Sequence, residues 1–117
     1  PKDYGAYNHE LRYALAARIC LLNNDQITAD HYSFNAGTYR ALIDPGNTGH
    51  DFDLGHVLNF IDKVATRPRD VTEKDIKTLQ KAGVKDPDIV RLAELNSFMA
   101  YQIRLIAGLR LFKGFES

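Results

Sequence analysis

The run Leu11–Tyr32, LRYALAARICLLNNDQITADHY, constrains the fold more than any other part of the chain. Leu11, Leu15, Ile19 and Leu22 recur at three- and four-residue steps, so they share one helical face. Asn23-Asn24-Asp25 follows directly. Asparagine tolerates the left-handed exit from a helix, and an aspartate caps the start of the next one. The spacing therefore predicts two helices meeting at a tight corner, and any functional site is expected there.

The first helix is expected from about His9 to Leu22, after a polar, aromatic lead-in over Pro1–Asn8. Asn8 is placed to cap it, and Glu10 falls in the first turn, where negative charge suits the helix dipole. Arg18 breaks the pattern. Wound at about 100° per residue, it falls inside the Leu11/Leu15/Leu22 stripe. An arginine there must snorkel or meet a carboxylate. It reads either as half of a structural salt bridge or as a contact for a substrate anion.

The second helix, about Gln26–Asn35, carries Ile27, Ala29 and Phe34 and stops before Gly37. Thr38–Ile43 adds a short turn, and Asp44-Pro-Gly-Asn-Thr-Gly49 is a loop. Helical spacing resumes over Leu54–Val64 and must end by Arg67, because Pro68 disfavours helical geometry in the residue before it. Thr72 to Asp75 resembles a capping box, followed by Ile76, Leu79, Ala82 and a stop at Gly83.

Asp86-Pro87 predicts a further start, with a carboxylate cap and proline in the first helical position. The last helix is expected from about Pro87 to Phe112. Ile89, Ala93, Ala100, Ile103 and Ile106 line one face, and Phe98, Leu105 and Leu109 line the opposite one. A helix apolar on nearly every side is buried in a bundle or against another subunit. Arg91, Glu94, Asn96, Gln102, Arg104 and Arg110 interrupt it, so it is not read as a membrane span. No segment alternates like a strand, and no linker or solenoid repeat divides the chain. The expectation is one all-α domain over residues 1–117, a bundle of about five to six helices with a long buried C-terminal helix.

Fifteen basic and fifteen acidic residues leave no net charge, so a nucleic-acid binder, whose mark is a basic excess, is not expected. One cysteine, Cys20, excludes an intramolecular disulfide and a multi-thiolate metal site. That fits a reducing compartment, and with neither signal nor transit peptide recognisable the expected location is cytoplasmic. The sequence opens at Pro1 rather than methionine, which leaves room for native residues upstream.

At the corner, Asp25 and Thr28 can cap the second helix, and with Arg18 they form the candidate ligand-binding set. His31, Tyr13 and Tyr32 are the candidate catalytic set, because an imidazole titrating near neutrality can move a proton. His50, Asp51, Asp53 and His56 lie in GHDFDLGH, but the histidines are six apart and do not share a face as the two of HExxH do, so no metal is expected. Gly46–Gly49 lacks the lysine and strand of a phosphate loop, and no cofactor is expected. Cys20 reads as packing.

The order of these elements resembles the alkylhydroperoxidase-D-like superfamily, which includes carboxymuconolactone decarboxylase. ALAARICLLNNDQITADHY is similar to that family's core helix, corner and second helix. RPRDVTEKDIKTLQKAGVKDPDIVRLAELNSFMAYQIRLIAGLR is similar to the later part of its peroxidase-related members. The resemblance implies the family's helical fold and assembly of identical chains into trimers or hexamers.

Redox members of the family carry a glutamate, two cysteines three residues apart, and a histidine four beyond the second. The first thiolate is stabilised at a helix N-terminus and the second resolves its intermediate. Anchored on Leu22-Asn23, those four positions hold Tyr13, Asp25, Thr28 and Tyr32 here. His31 is one residue early, turned about 100° around the helix. The resemblance thus implies the scaffold without the dithiol chemistry. Three functions fit: a degenerate family member binding a small ligand near the Asp25/His31 corner, a cysteine-independent decarboxylase-type enzyme using His31, or a non-enzymatic oligomeric interaction protein.

Overall fold

A computed structural model describes residues 7–116 of the chain, with side chains for residues 7–111. The first six residues of the lead-in lie outside it. Among the described residues every regular element is helical. The α-helices are α1 (His9–Leu22), α2 (Gln26–Ser33), α3 (Gly55–Thr66), α4 (Glu73–Lys81) and α5 (Asp86–Glu116). Tighter 3-10 turns occupy Gly37–Ile43, His50–Phe52 and Pro68–Asp70.

α1 is the axis of the molecule. The Asn8 side chain accepts from the Leu11 N–H at 2.9 Å, which starts the helix. From there Leu11, Ala14, Leu15, Ala16, Ala17, Arg18, Ile19 and Cys20 are all buried. A helix buried on so many sides needs neighbours around it. They are α2, the 37–43 turn, α3 and α5. The alanines let those neighbours come close, while Leu15 and Ile19 join Leu58, Ile61, Leu79, Leu92 and Met99 in one core.

Two helix exits use the same device. At the end of α1, Asn24 has φ +61°, and the Asp25 N–H reaches back to the Cys20 carbonyl at 2.8 Å. At the end of α4, Gly83 has φ +94°, and the Val84 N–H reaches the Leu79 carbonyl at 3.0 Å. A left-handed residue followed by a six-to-one bond is a Schellman stop, which satisfies carbonyls that the helix leaves orphaned. At the start of α4 the Asp75 carboxylate accepts the Thr72 N–H at 2.8 Å, the reach-back bond of a capping box.

The structure departs from the sequence expectation in three places. α2 ends at Ser33, two residues early, because the chain tightens toward the 37–43 turn. Asp86 is the first helical residue of α5 rather than its cap, and its carboxylate accepts from Gln80 across the preceding turn. The larger correction concerns the long buried C-terminal helix. Ile89, Leu92, Asn96 and Met99 of α5 are buried, but Phe98, Tyr101, Leu105, Leu109 and Leu111 are between 47% and 67% exposed. Of the expected inward face, Ile89 is buried, Ala100, Ile103 and Ile106 are half-buried and Ala93 is exposed, while the opposite face stays open. Among the described residues, no helix is long and apolar enough to cross a membrane.

Candidate functional site

The α1–α2 corner is built from three consecutive residues. Asn23 ends α1, Asn24 turns the chain, and Asp25 caps α2. Asp25 is 8% exposed. Its Oδ1 accepts the Thr28 N–H at 3.1 Å and its Oδ2 accepts the Thr28 hydroxyl at 2.7 Å. Arg110, far along α5, reaches Oδ1 at 3.6 Å. Burial pushes the Asp25 carboxyl up; the two Thr28 bonds and the Arg110 charge outweigh it and hold the group below the ordinary carboxylate range. Asp25 is thus ionised, and both its oxygens are engaged by the chain itself.

Cys20 lies under this corner with no exposure. Burial, then the Asp25 charge, push its thiol up to about 12. A thiol held that high carries almost no thiolate near neutrality and is inert as a nucleophile.

Tyr13 and Tyr32 face each other across α1 and α2, with ring centroids 6.0 Å apart. The Tyr32 hydroxyl donates to the Gln102 side-chain oxygen on α5. Burial raises the Tyr32 phenol above its ordinary value, against the pull of the Gln102 bond. The contacts Tyr32–Gln102 and Asp25–Arg110 bridge α2 to α5, and their order runs the two helices antiparallel. Tyr13 and Tyr32, with His9, Arg12, Leu95, Phe98 and Met99, line a groove of about 350 Å³. His31 and Asp25 are not part of that lining. His31 is exposed and meets Tyr32 edge-on at 5.5 Å. The structure brings Tyr13 and Tyr32 together and sets His31 and Asp25 in separate surroundings.

Arg18 resolves into the salt bridge rather than the anion contact. It is 1% exposed. Nε and Nη2 make a bidentate pair with the Asp62 carboxylate of α3 at 2.7 Å each. Nη1 donates to the carbonyls of Leu42 and Asp44, and Nη2 to that of Pro45. All five guanidinium N–H groups are thereby used, and none is left for a ligand. The residue pins the end of the 37–43 turn and the following loop onto α3.

His50, Asp53 and His56 border a shallow groove of about 520 Å³ beside that ion pair. Among the described residues no group of three or more histidine, cysteine, aspartate or glutamate side chains is placed to hold a metal ion. Asp53 takes φ +56° between a 3-10 turn and α3, and Leu54, with no side-chain bond, occupies the cap position of α3.

Among the described residues, two polar residues of α5 are buried: Asp88, which the sequence does not single out, and Asn96, one of the residues that interrupt the helix. Asn96 is 3% exposed, and its Oδ1 has no partner. It sits four residues after Leu92 and three before Met99, both buried. That interruption of the inward face of α5 was the available signal. Leaving such an acceptor unpaired costs about 1–3 kcal/mol. The chain matches no protein-family model, no curated protein and no solved structure with which it was compared.

Proposed function

We propose that this chain is a redox-silent member of the alkylhydroperoxidase-D-like superfamily, an assembly of identical helical subunits that binds a small aromatic ligand beside the α1–α2 corner. The support is the state of the corner itself. Asp25 and Thr28, at the positions of the family's two cysteines, bond to each other and to the backbone, and the lone thiol is sealed beneath them. What remains open next to it is the groove of Tyr13, Tyr32 and Phe98, whose aromatic walls suit a flat apolar molecule. The corner ligand site thus shifts to the Tyr13/Tyr32 side, Asp25 and Thr28 act as its frame, and Arg18 braces α1 from the Asp62 side.

A decarboxylase-type enzyme working through His31 would need that imidazole to face the groove with Tyr13. Its exposed position and its edge contact with Tyr32 give that reading less support. The assembly has its own support in the exposed stripe Phe98, Tyr101, Leu105 and Leu109 on α5, because contiguous exposed apolar surface marks an interface. The family resemblance suggests trimers or hexamers.

Titration with indole, followed by tyrosine fluorescence, tests the ligand reading. Saturable change in the native chain and its loss in Tyr13→Ala is the expected result; identical titrations would sink it. Light scattering tests the assembly: a monomer at micromolar concentration contradicts it. Turnover of peroxide with a dithiol donor would overturn the redox-silent reading.

A further inference from the structure

We propose a second binding site, in the groove between the C-terminal ends of α1 and α3 and the middle of α5. Its ligand class is a small carboxylate with a branched aliphatic body and one hydrogen-bond donor, as in an N-acyl branched-chain amino acid. The groove holds about 460 Å³ and shares no lining residue with the Tyr13/Tyr32 groove, so this site stands or falls separately from the function proposed above.

Three features of the walls define the ligand. Ile19, Val64 and Ile103 supply an aliphatic surface, which favours an aliphatic body. Asn96 lines the groove, nine-tenths and more buried, with its Oδ1 unpartnered. Its Nδ2 makes a long 3.5 Å bond to the Leu92 carbonyl. That bond fixes the sense of the amide, since the reverse orientation would set two acceptors against each other. Oδ1 itself is closed off from solvent, so a ligand donor meets it only after a turn about the soft last torsion of the side chain, which gives up the long Leu92 bond. A ligand N–H or O–H there satisfies an acceptor that the chain leaves without one.

Charge sets the third requirement. Arg104 lines the groove, and its Nε donates to the Ala100 carbonyl at 3.2 Å. No acidic side chain lines the groove with it. The wall therefore carries a single charge, and that charge is positive. A carboxylate at the Arg104 end, an amide N–H on Asn96 and an aliphatic side chain between them use all three features at once.

The test titrates N-acetyl-L-leucine into the isotopically labelled full chain and follows amide chemical shifts. Saturable shifts at Ser97, Ala100, Ile103 and Val64 are expected. The methyl ester, which lacks the charge, and 4-methylpentanoate, which lacks the donor, are each expected to bind about tenfold more weakly. Asn96→Leu should weaken N-acetyl-L-leucine about tenfold while raising the melting temperature, and Arg104→Gln should weaken it about tenfold at unchanged melting temperature.

Absence of saturable shifts up to about 20 mM overturns the site. So do shifts confined to other residues, or equal affinity for acid and ester. A lowered melting temperature in Asn96→Leu would mean that Asn96 is already paired in the native fold, and would also overturn it. The ester and 4-methylpentanoate comparison uses the unaltered chain and decides the matter even if a variant does not fold.

Discussion

At the α1–α2 corner, a buried carboxylate finds all its partners within the chain; in the groove along α5, a buried amide does not. Asp25 takes two bonds from a residue three positions away and a charge from Arg110. Asn96 has one long bond to its own helix and an acceptor left over. Both are buried polar groups of similar size, so desolvation penalises both. The difference is geometric. A helix start offers exposed backbone N–H groups to any side chain placed there, whereas a helix interior has none to spare. Polar residues at a corner are therefore explained by the fold, and a polar residue on the inward face of a long helix asks for a partner from elsewhere.

Arg18 belongs with Asp25, and it should break most severely. Arg18→Met removes five hydrogen bonds and strands the Asp62 carboxylate and three carbonyls. A loss toward the lower end of the about 3–5 kcal/mol seen when one partner leaves a buried pair is expected in urea unfolding, because the Asp62 carboxylate keeps some contact with water. The double change Arg18→Met with Asp62→Leu should recover part of it, because the stranded charge is then gone.

Asp25→Ala is expected to cost about 1–2 kcal/mol near neutral pH, the range of a lost N-cap. The pH dependence has a definite sign. The folded carboxyl titrates below its unfolded value of about 3.9, so its contribution is fully present above that value and fades as pH falls through the folded one. Urea midpoints of the native chain and Asp25→Ala should therefore converge under strongly acid conditions.

Asn96→Leu sharpens the contrast, because its sign is opposite: a gain of about 1 kcal/mol is expected from removing an unpaired acceptor. A loss instead would place Asn96 in the same class as Asp25. The smallest effect belongs to the turn itself. Asn24→Ala forces an alanine to φ +61° and should cost about 1 kcal/mol by thermal melting, while Asn24→Gly should stay within a few tenths.

The same contrast explains what could be read from the sequence. The limits of α1, its exit and the cap on α2 depend on neighbours within a few residues: Asn8 on Leu11, Asn24 on Leu21, Asp25 on Thr28. Such bonds are written locally and were legible. Arg18 stood out because it interrupts an apolar stripe, yet its partner Asp62 lies 44 residues away and nothing local names it. The exposed half of α5 was misjudged for a related reason. Helical spacing shows which residues are apolar, not whether the chain has enough mass to cover them. At the candidate site, Tyr13 and Tyr32 do come together, but across two helices with Gln102 of α5 completing the contact. The separation of His31 from them follows from a rotation around α2 that only the packed arrangement fixes.

If the corner is closed and its thiol inert, Cys20 should resist labelling until the chain unfolds. Alkylation by iodoacetamide near pH 8 should be negligible in the native chain and proceed at the unfolded rate once urea has carried it through its transition, since burial and the Asp25 charge hold the thiol near 12. Prompt labelling of the folded protein, at a rate set by thiol ionisation rather than by unfolding, would contradict the account.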